Sequence, residues 1–152
     1  MRLQYSQEIA APPAEVFRFV GTEHFQNHPK WDPAVLEMEQ ISPGPMCLGA
    51  KARLVRSVGG RRTEGIVTVT RFEPDHAFAA VVEFGPFRLD QQAICSPATN
   101  GRTRLTLVID TRAKGLAGLL LPVMRPRFAA TMRTSLESIR QHLEAHGPGE
   151  AS

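Results

Sequence analysis

The chain has few of the residues and segments from which metal sites, disulfide frameworks and membrane spans are built. Its two cysteines, Cys47 and Cys95, lack the spacing of metal ligands, so they are predicted to be reduced thiols of the core. The longest apolar segment, residues 116–124, is roughly half the length that a membrane span needs. The first residues lack the apolar stretch of a secretory signal. These absences predict a cytoplasmic protein without stable membrane insertion.

Motifs for common cofactor and hydrolase chemistry are missing too. The sequence has no Gly-rich phosphate loop, no Gly-x-Ser-x-Gly elbow and no Cys-x-x-Cys pair, so nucleotide hydrolysis and serine-hydrolase chemistry have no support. His24 and His28 are four residues apart, but the His-Glu-x-x-His pattern of a zinc site is absent. We therefore expect no metal and no cofactor, and we interpret the two histidines as surface residues near the mouth of a pocket.

Positive charge is present in modest excess. The chain carries 18 basic and 15 acidic residues, which gives a net charge of +3. The basic residues are scattered through alternating segments and do not gather on one helix or along an aromatic stripe. This pattern is typical of a solvated sheet face and predicts that nucleic acid is not a partner.

The chain does contain a characteristic order of elements. Residues 2–9 alternate as a half-buried strand, and a short helical stretch broken at Pro29 follows. From Val35 onward the sequence reads as strands and turns, with a two-residue hairpin signal at Gly59-Gly60. Helical periodicity then runs from Leu116 to Leu143. We interpret residues 1–146 as a single domain and residues 147–152 as a flexible tail.

The inward face of the predicted sheet can be followed from hairpin to hairpin, because residues on one face recur at every second position. The starting point is the alternation of Leu105, Leu107 and Ile109. Pairing across each turn then predicts inward positions in five strands, among them Phe87, Leu89, Gln91, Phe78, Val82, Arg71, Gly65 and Arg56. A single β-bulge would reverse the face beyond it.

This face combines small residues with polar ones. Four small residues are predicted to leave room opposite the helix: Ala52, Gly65, Ala80 and Ala93. Arg56 and Gln91 stand in an otherwise apolar surface, and an unpaired buried guanidinium is very costly. Arg56 therefore needs a carboxylate, a water-filled cavity or a ligand, unless it reaches the rim and bonds to backbone.

The helices supply the other candidate walls. Met124, Phe128 and Met132 lie on the apolar stripe of the last helix, where methionine suits either an adaptable pocket or plain core. Pro122 and Pro126 are expected to break or kink the beginning of this helix and to separate a short apolar turn from its main part. Trp31, the single tryptophan, forms either a wall of the pocket entrance or an anchor under its loop.

Nearly the whole chain resembles the START-related helix-grip (SRPBCC) superfamily, especially its polyketide cyclase/dehydratase-like and lipid-transport-like branch. The similarity lies in residues 9–17, 29–33, 72–74 and 136–144, and in Gly49. It implies an α+β fold in which a seven-stranded antiparallel sheet curves around a long C-terminal helix, with two short helices after strand 1. It also implies a cavity between helix and sheet, used by some members for carriage and by others for cyclase or dehydratase chemistry.

Three functions stay open from the sequence. The leading hypothesis is a module that binds a small hydrophobic or amphipathic molecule, with Arg56 and Gln91 meeting a polar or anionic head. The rivals are a cyclase/dehydratase-type enzyme that depends on Arg56, and a protein-interaction module with a filled core. No catalytic residue stands out, and the oligomeric state is open, with a homodimer as one option. The predicted ligand-binding residues are Trp31, Arg56, Gly65, Phe78, Val82, Leu89, Gln91, Leu107, Met124, Phe128 and Met132.

Overall fold

The computed structural model describes residues 1–145, so the tail predicted at 147–152 lies outside the described residues. Seven strands and three α-helices follow one another in the order expected. The strands are β1 (Arg2–Ile9), β2 (Val35–Gln40), β3 (Lys51–Val58), β4 (Arg61–Glu73), β5 (Ala77–Phe84), β6 (Phe87–Pro97) and β7 (Thr103–Ala113). The helices are α1 (Pro13–Phe17), which runs into a π-helical turn at Arg18–Thr22, α2 (His24–Trp31) and α3 (Leu121–Ala145).

The strands form one antiparallel sheet in the order β1-β7-β6-β5-β4-β3-β2. The first two strands of the chain therefore lie at opposite edges, and α1 and α2 carry the chain from one edge to the other. The hairpin between β3 and β4 turns on Gly59 and Gly60, whose φ angles of 58° and 80° belong to the region that glycine adopts without strain. The predicted two-residue turn is present.

The predicted inward face is correct for most of the sheet and wrong at Arg71. A β-bulge interrupts β4 between Val69 and Arg71, so Val69 faces Ala80 whereas Phe72 faces Phe78. Phe72 takes the inward position that the alternation assigned to Arg71. The Arg71 side chain is 48% exposed and pairs with Glu73 outside the core. The bulge places one extra residue between Val69 and Phe72, so both of these residues face inward. The predicted inward positions from Val69 back to Gly65 are therefore unaffected.

The long helix covers the inward face of the sheet, packing against β1 and β7. Its buried stripe contains Phe128, Met132, Leu136, Ile139 and Leu143, at the spacing that the sequence predicts. A separate 3₁₀ turn at Gly115–Leu120 precedes it, as expected, but α3 begins before Pro122 and continues through Pro126, so the two prolines do not break it. The helix-grip architecture expected from the sequence is confirmed.

Helix α2 differs from its prediction. Pro29 was expected to end the helical stretch, but α2 continues through it to Trp31. Pro29 removes one backbone hydrogen bond without stopping the helix, because the side chains around it are held by burial. Phe25, His28 and Trp31 all lie in the interior.

The two cysteines have different surroundings, although both are free thiols. Cys95 of β6 is buried, as the sequence predicts. Cys47 is exposed, so its assignment to the core is wrong. It lies in the loop between β2 and β3, where no neighbouring strand or helix covers it.

Candidate functional site

Two adjoining spaces lie between the sheet and the helices. The first, here called the chamber, has a volume of about 40 Å³ and is enclosed by α2, α3 and the inward face of β5, β6 and β7. The second, here called the groove, has a volume of about 460 Å³ and lies between the β3–β4 hairpin and the start of α3. Arg56, Phe128 and Thr131 line both spaces, so the groove and the chamber adjoin at these residues.

A cluster of four polar side chains forms one wall of the chamber. His24, His28 and Asp32 come from α2 and the residue after it, and they are 3%, 1% and 6% exposed. Their spacing of four residues places them on one side of the helix. Arg56 of β3 completes the cluster, with its Nη1 atom 3.5 Å from Oδ2 of Asp32. The open question about Arg56 is thereby answered: its buried charge is paired with a carboxylate.

The Asp32 carboxylate is ionised at neutral pH. Burial alone would raise the pKa of Asp32, but the hydrogen bond from His28 and the positive charge of Arg56 outweigh it, so the pKa falls to about 2. The amide of Ala34 also donates to Oδ1, at 2.9 Å. The charges of Asp32 and Arg56 cancel within the cluster.

Both histidines are neutral. Burial lowers the pKa of His24 well below its ordinary value, and the neighbouring His28 lowers it further. Burial also lowers the pKa of His28, against the opposing influence of Asp32. The rings lie side by side, with centroids 4.5 Å apart.

The hydrogen-bond partners determine which ring nitrogen carries the proton. Nδ1 of His24 lies 3.0 Å from the carbonyl oxygen of Val20, which only accepts, so Nδ1 donates and Nε2 has a free lone pair. Nε2 of His28 lies 3.3 Å from the ionised Asp32, so Nε2 donates and Nδ1 has the free lone pair. Neither free nitrogen has a hydrogen-bond partner within residues 1–145.

Two donors in the chamber wall are also unpartnered. The indole Nε1 of Trp31 and the amide Nε2 of Gln91 are buried without a partner in the described part of the chain. The ring of Trp31 stacks on His28 with centroids 4.4 Å apart, and His24 stacks on Phe78 at 4.7 Å. The chamber therefore has aromatic walls and unsatisfied polar atoms of both kinds, donors and acceptors.

The structure places most of the predicted ligand-binding residues around these two spaces. Met124 lines the groove. The residues that line the chamber are Trp31, Arg56, Phe78, Gln91, Leu107, Phe128 and Met132. The two readings of Trp31 are both true, because its ring is 6% exposed and yet forms part of the wall.

Gly65, Val82 and Leu89 are buried elsewhere in the core and line neither space. Gly65 does not leave the room expected of it. A Cβ atom on Gly65 would lie 2.6 Å from the carbonyl oxygen of Glu83, so glycine is needed for close approach of β4 and β5.

The interpretation of His24 and His28 as surface residues is wrong, since both are buried chamber residues. Asp32 and the two histidines were not among the predicted ligand-binding residues, because that prediction relied on the alternation of residues in the strands. Their regular spacing at 24, 28 and 32 was a usable signal. This spacing alone does not indicate that the side of α2 carrying these residues faces the sheet.

Across residues 1–145 no group of three or more His, Cys, Asp or Glu side chains is arranged to hold a metal ion. No helix in that same range is long and apolar enough to cross a bilayer.

A sheet that wraps one long helix and leaves a chamber and an adjoining groove between them defines a helix-grip protein. The chain belongs to the family described as polyketide cyclase/dehydrase and lipid transport, whose sequence pattern matches residues 1–144. No curated protein matches the sequence.

Solved structures with the same fold share little sequence with this chain. TTHA0849 from Thermus thermophilus is 15% identical, with a TM-score of 0.79 and coverage of 97% of this chain and 100% of that one. A START superfamily protein from Mycobacterium smegmatis is 16% identical, with a TM-score of 0.74 and coverage of 93% and 97%. The Zhui aromatase/cyclase from Streptomyces sp. R1128 is 18% identical, with a TM-score of 0.71 and coverage of 97% and 99%. At such identities the likeness shows the fold alone.

Proposed function

We propose that this protein binds a small amphipathic molecule, with its apolar body in the groove and its polar end in the chamber. The observation that carries this proposal is the junction of the two spaces at Arg56, Phe128 and Thr131. The groove is wide enough for a ligand of ordinary size, whose pockets measure roughly 300–1,000 Å³. Its walls are largely apolar and include Val58, Phe87, Leu120, Val123 and Met124.

The junction offers a direct test. Thr131→Trp places a bulky ring where the groove meets the chamber. Thr134→Trp is the matched control, since Thr134 lies on the same helix, is exposed and lines neither space. Fatty acids and aromatic polyketides are titrated against each protein, with native mass spectrometry and the melting temperature as readouts.

We expect at least one ligand to bind the original protein and the Thr134→Trp variant, and to bind Thr131→Trp at least about tenfold more weakly. Equal binding by both variants would place the ligand elsewhere. If no apolar or amphipathic compound bound or raised the melting temperature, the proposal would fail.

A second candidate function, cyclase- or dehydratase-type chemistry, is favoured by the pair formed by His28 and Asp32. A carboxylate that holds one imidazole nitrogen leaves the other free to accept a proton, as a general base must. A base of this kind would remove the acidic proton between two carbonyl groups. That candidate predicts that the protein accelerates deuterium exchange at the central carbon of benzoylacetone, as seen by NMR. It also predicts that His28→Gln abolishes the acceleration, whereas unchanged exchange would count against it.

A filled, dry core would have favoured the interaction-module hypothesis, whereas the chamber and the groove support ligand binding. The cytoplasmic location and the homodimer remain predictions from the sequence.

A further inference from the structure

The unpartnered atoms of the chamber set a requirement on whatever occupies it. Five buried side-chain polar atoms have no partner among the described residues, and four of them belong to residues that line the chamber. Nε2 of His24 and Nδ1 of His28 are acceptors, whereas Nε1 of Trp31 and Nε2 of Gln91 are donors. Buried polar groups are normally hydrogen-bonded, so an occupant that contacts these atoms needs both a donor and an acceptor.

The charge of the chamber sets a second requirement. Arg56 is already paired with Asp32 at 3.5 Å, and the two histidines are neutral. An anionic head in the chamber would add an uncompensated charge close to the Asp32 carboxylate. It would also offer only acceptors to the two imidazole lone pairs, which need donors. The anionic head considered from the sequence is thus the wrong complement for this wall.

We propose that the chamber selects a neutral hydroxyl group, as in a phenol, an enol or an alcohol, at the buried end of the ligand, an inference that rests on the function proposed above. A hydroxyl donates one hydrogen bond and accepts others. It donates to an imidazole nitrogen of His24 or His28 and accepts from Trp31 or Gln91. Aromatic carriers of the hydroxyl suit the ring walls formed by Trp31, Phe78 and Phe128.

The chamber is also large enough for a few water molecules, since one water needs about 10–15 Å³. Water alone would satisfy the same atoms but would give no preference among ligands. Discrimination between a hydroxyl and its replacements therefore separates the two cases.

Three probes of one size test the selection: 4-butylphenol, butylbenzene and 4-butylbenzoate. Binding is followed by the emission of Trp31, the single tryptophan, which lies in the chamber wall, and by calorimetry. We expect the phenol to bind at least about tenfold more tightly than the hydrocarbon, because loss of one buried hydrogen bond costs about that factor. The benzoate is expected to bind more weakly than the phenol at neutral pH.

Variants of residues that line the chamber test whether these residues cause the preference for the phenol. His24→Phe removes an acceptor and Gln91→Leu removes a donor, whereas Thr134→Val, on the exposed Thr134 that lines neither space, serves as the control. Each polar variant is expected to lower phenol affinity about tenfold and to change butylbenzene affinity less than about twofold. Melting temperatures verify folding, and Gln91→Leu keeps the test available if His24→Phe fails to fold.

The outcomes distinguish this inference from the proposed function. If all three probes bind equally, or the benzoate binds best, the hydroxyl selection is wrong although ligand binding stands. If none of them binds, while fatty acids or polyketides do, the chamber does not accept a phenol and the inference also fails. If nothing binds at all, both proposals fall together.

Discussion

Replacing Asp32 with asparagine tests whether the buried charge cluster is held together by that carboxylate. Asparagine keeps the volume of Asp32 and an oxygen that accepts from the amide of Ala34, but it removes the negative charge and puts an NH2 group where Oδ2 accepts from His28. Arg56, which is 5% exposed, is then left with a buried positive charge and no anionic partner. Breaking a buried ion pair by removing one partner usually costs about 3–5 kcal/mol.

The pKa of Asp32 yields a second measure of the same interaction. A folded-state pKa of about 2, against an ordinary value of 3.8, corresponds to about 2.5 kcal/mol of stability at neutral pH. Because the hydrogen bond from Ala34 survives in asparagine whereas the ion pair with Arg56 is lost, we expect Asp32→Asn to lower the free energy of unfolding by about 2–4 kcal/mol at pH 7. Urea denaturation measures this difference directly.

The pH dependence has a defined sign. The folded pKa of Asp32 lies below the unfolded value, so its contribution is fully present above about pH 4 and is lost as the pH falls towards 2. Asp32 also raises the pKa values of His24 and His28, so the stability gap between the original protein and Asp32→Asn contains that coupling as well as the titration of the carboxylate. The stability gap between the two proteins should therefore shrink between about pH 5 and about pH 2.

Asp90→Asn is the control, because Asp90 pairs with Arg88 at 3.5 Å on the surface and should contribute less than about 1 kcal/mol. Adding Arg56→Met to Asp32→Asn removes the uncompensated charge and should restore part of the lost stability. A loss below about 1 kcal/mol for Asp32→Asn, with an unchanged acid profile, would refute the reasoning.

Packing and burial supply two further predictions. Gly65→Ala should destabilise the protein by about 1–3 kcal/mol in urea denaturation, because its Cβ would lie 2.6 Å from the carbonyl oxygen of Glu83. The control Gly118→Ala, whose Cβ would lie 3.6 Å from its neighbour, should cost far less, and equal losses would contradict the close approach. Iodoacetamide should modify exposed Cys47 in the native protein and spare Cys95, whose pKa burial raises to about 12. Mass spectrometry with and without urea measures this, and rapid native labelling of Cys95 would disprove its inaccessibility.

Most of the sheet was predictable because its signals are local. Alternating apolar residues, and turns such as Gly59-Gly60, depend on neighbouring positions alone, so register follows from one strand to the next. The bulge before Arg71 has no such signal. It exchanges Arg71 for Phe72 on the inward face, where the ring centroid of Phe72 lies 5.6 Å from that of Phe17 in α1.

Only part of the candidate site could be predicted from the sequence, for the same reason. Arg56 and Gln91 were found because they interrupt an apolar strand face. His24, His28 and Asp32 share one side of α2, but a short polar helix does not reveal which side will be buried. Only the docking of α2 against β2 and α3 turns that side inward.

By itself, then, the order of residues determined the helix-grip scaffold, the curved sheet's inward face and the need of Arg56 for a partner. The tertiary structure decided that this partner is Asp32 and where the chamber and the groove lie. It also decided which polar atoms of the residues lining the chamber have no hydrogen-bond partner in the described part of the chain. The physical reason is the separation along the chain over which each interaction acts. Periodicity and turn chemistry act between near neighbours, whereas the pairing of Asp32 with Arg56 joins residues 24 positions apart, and only the folded chain brings them together.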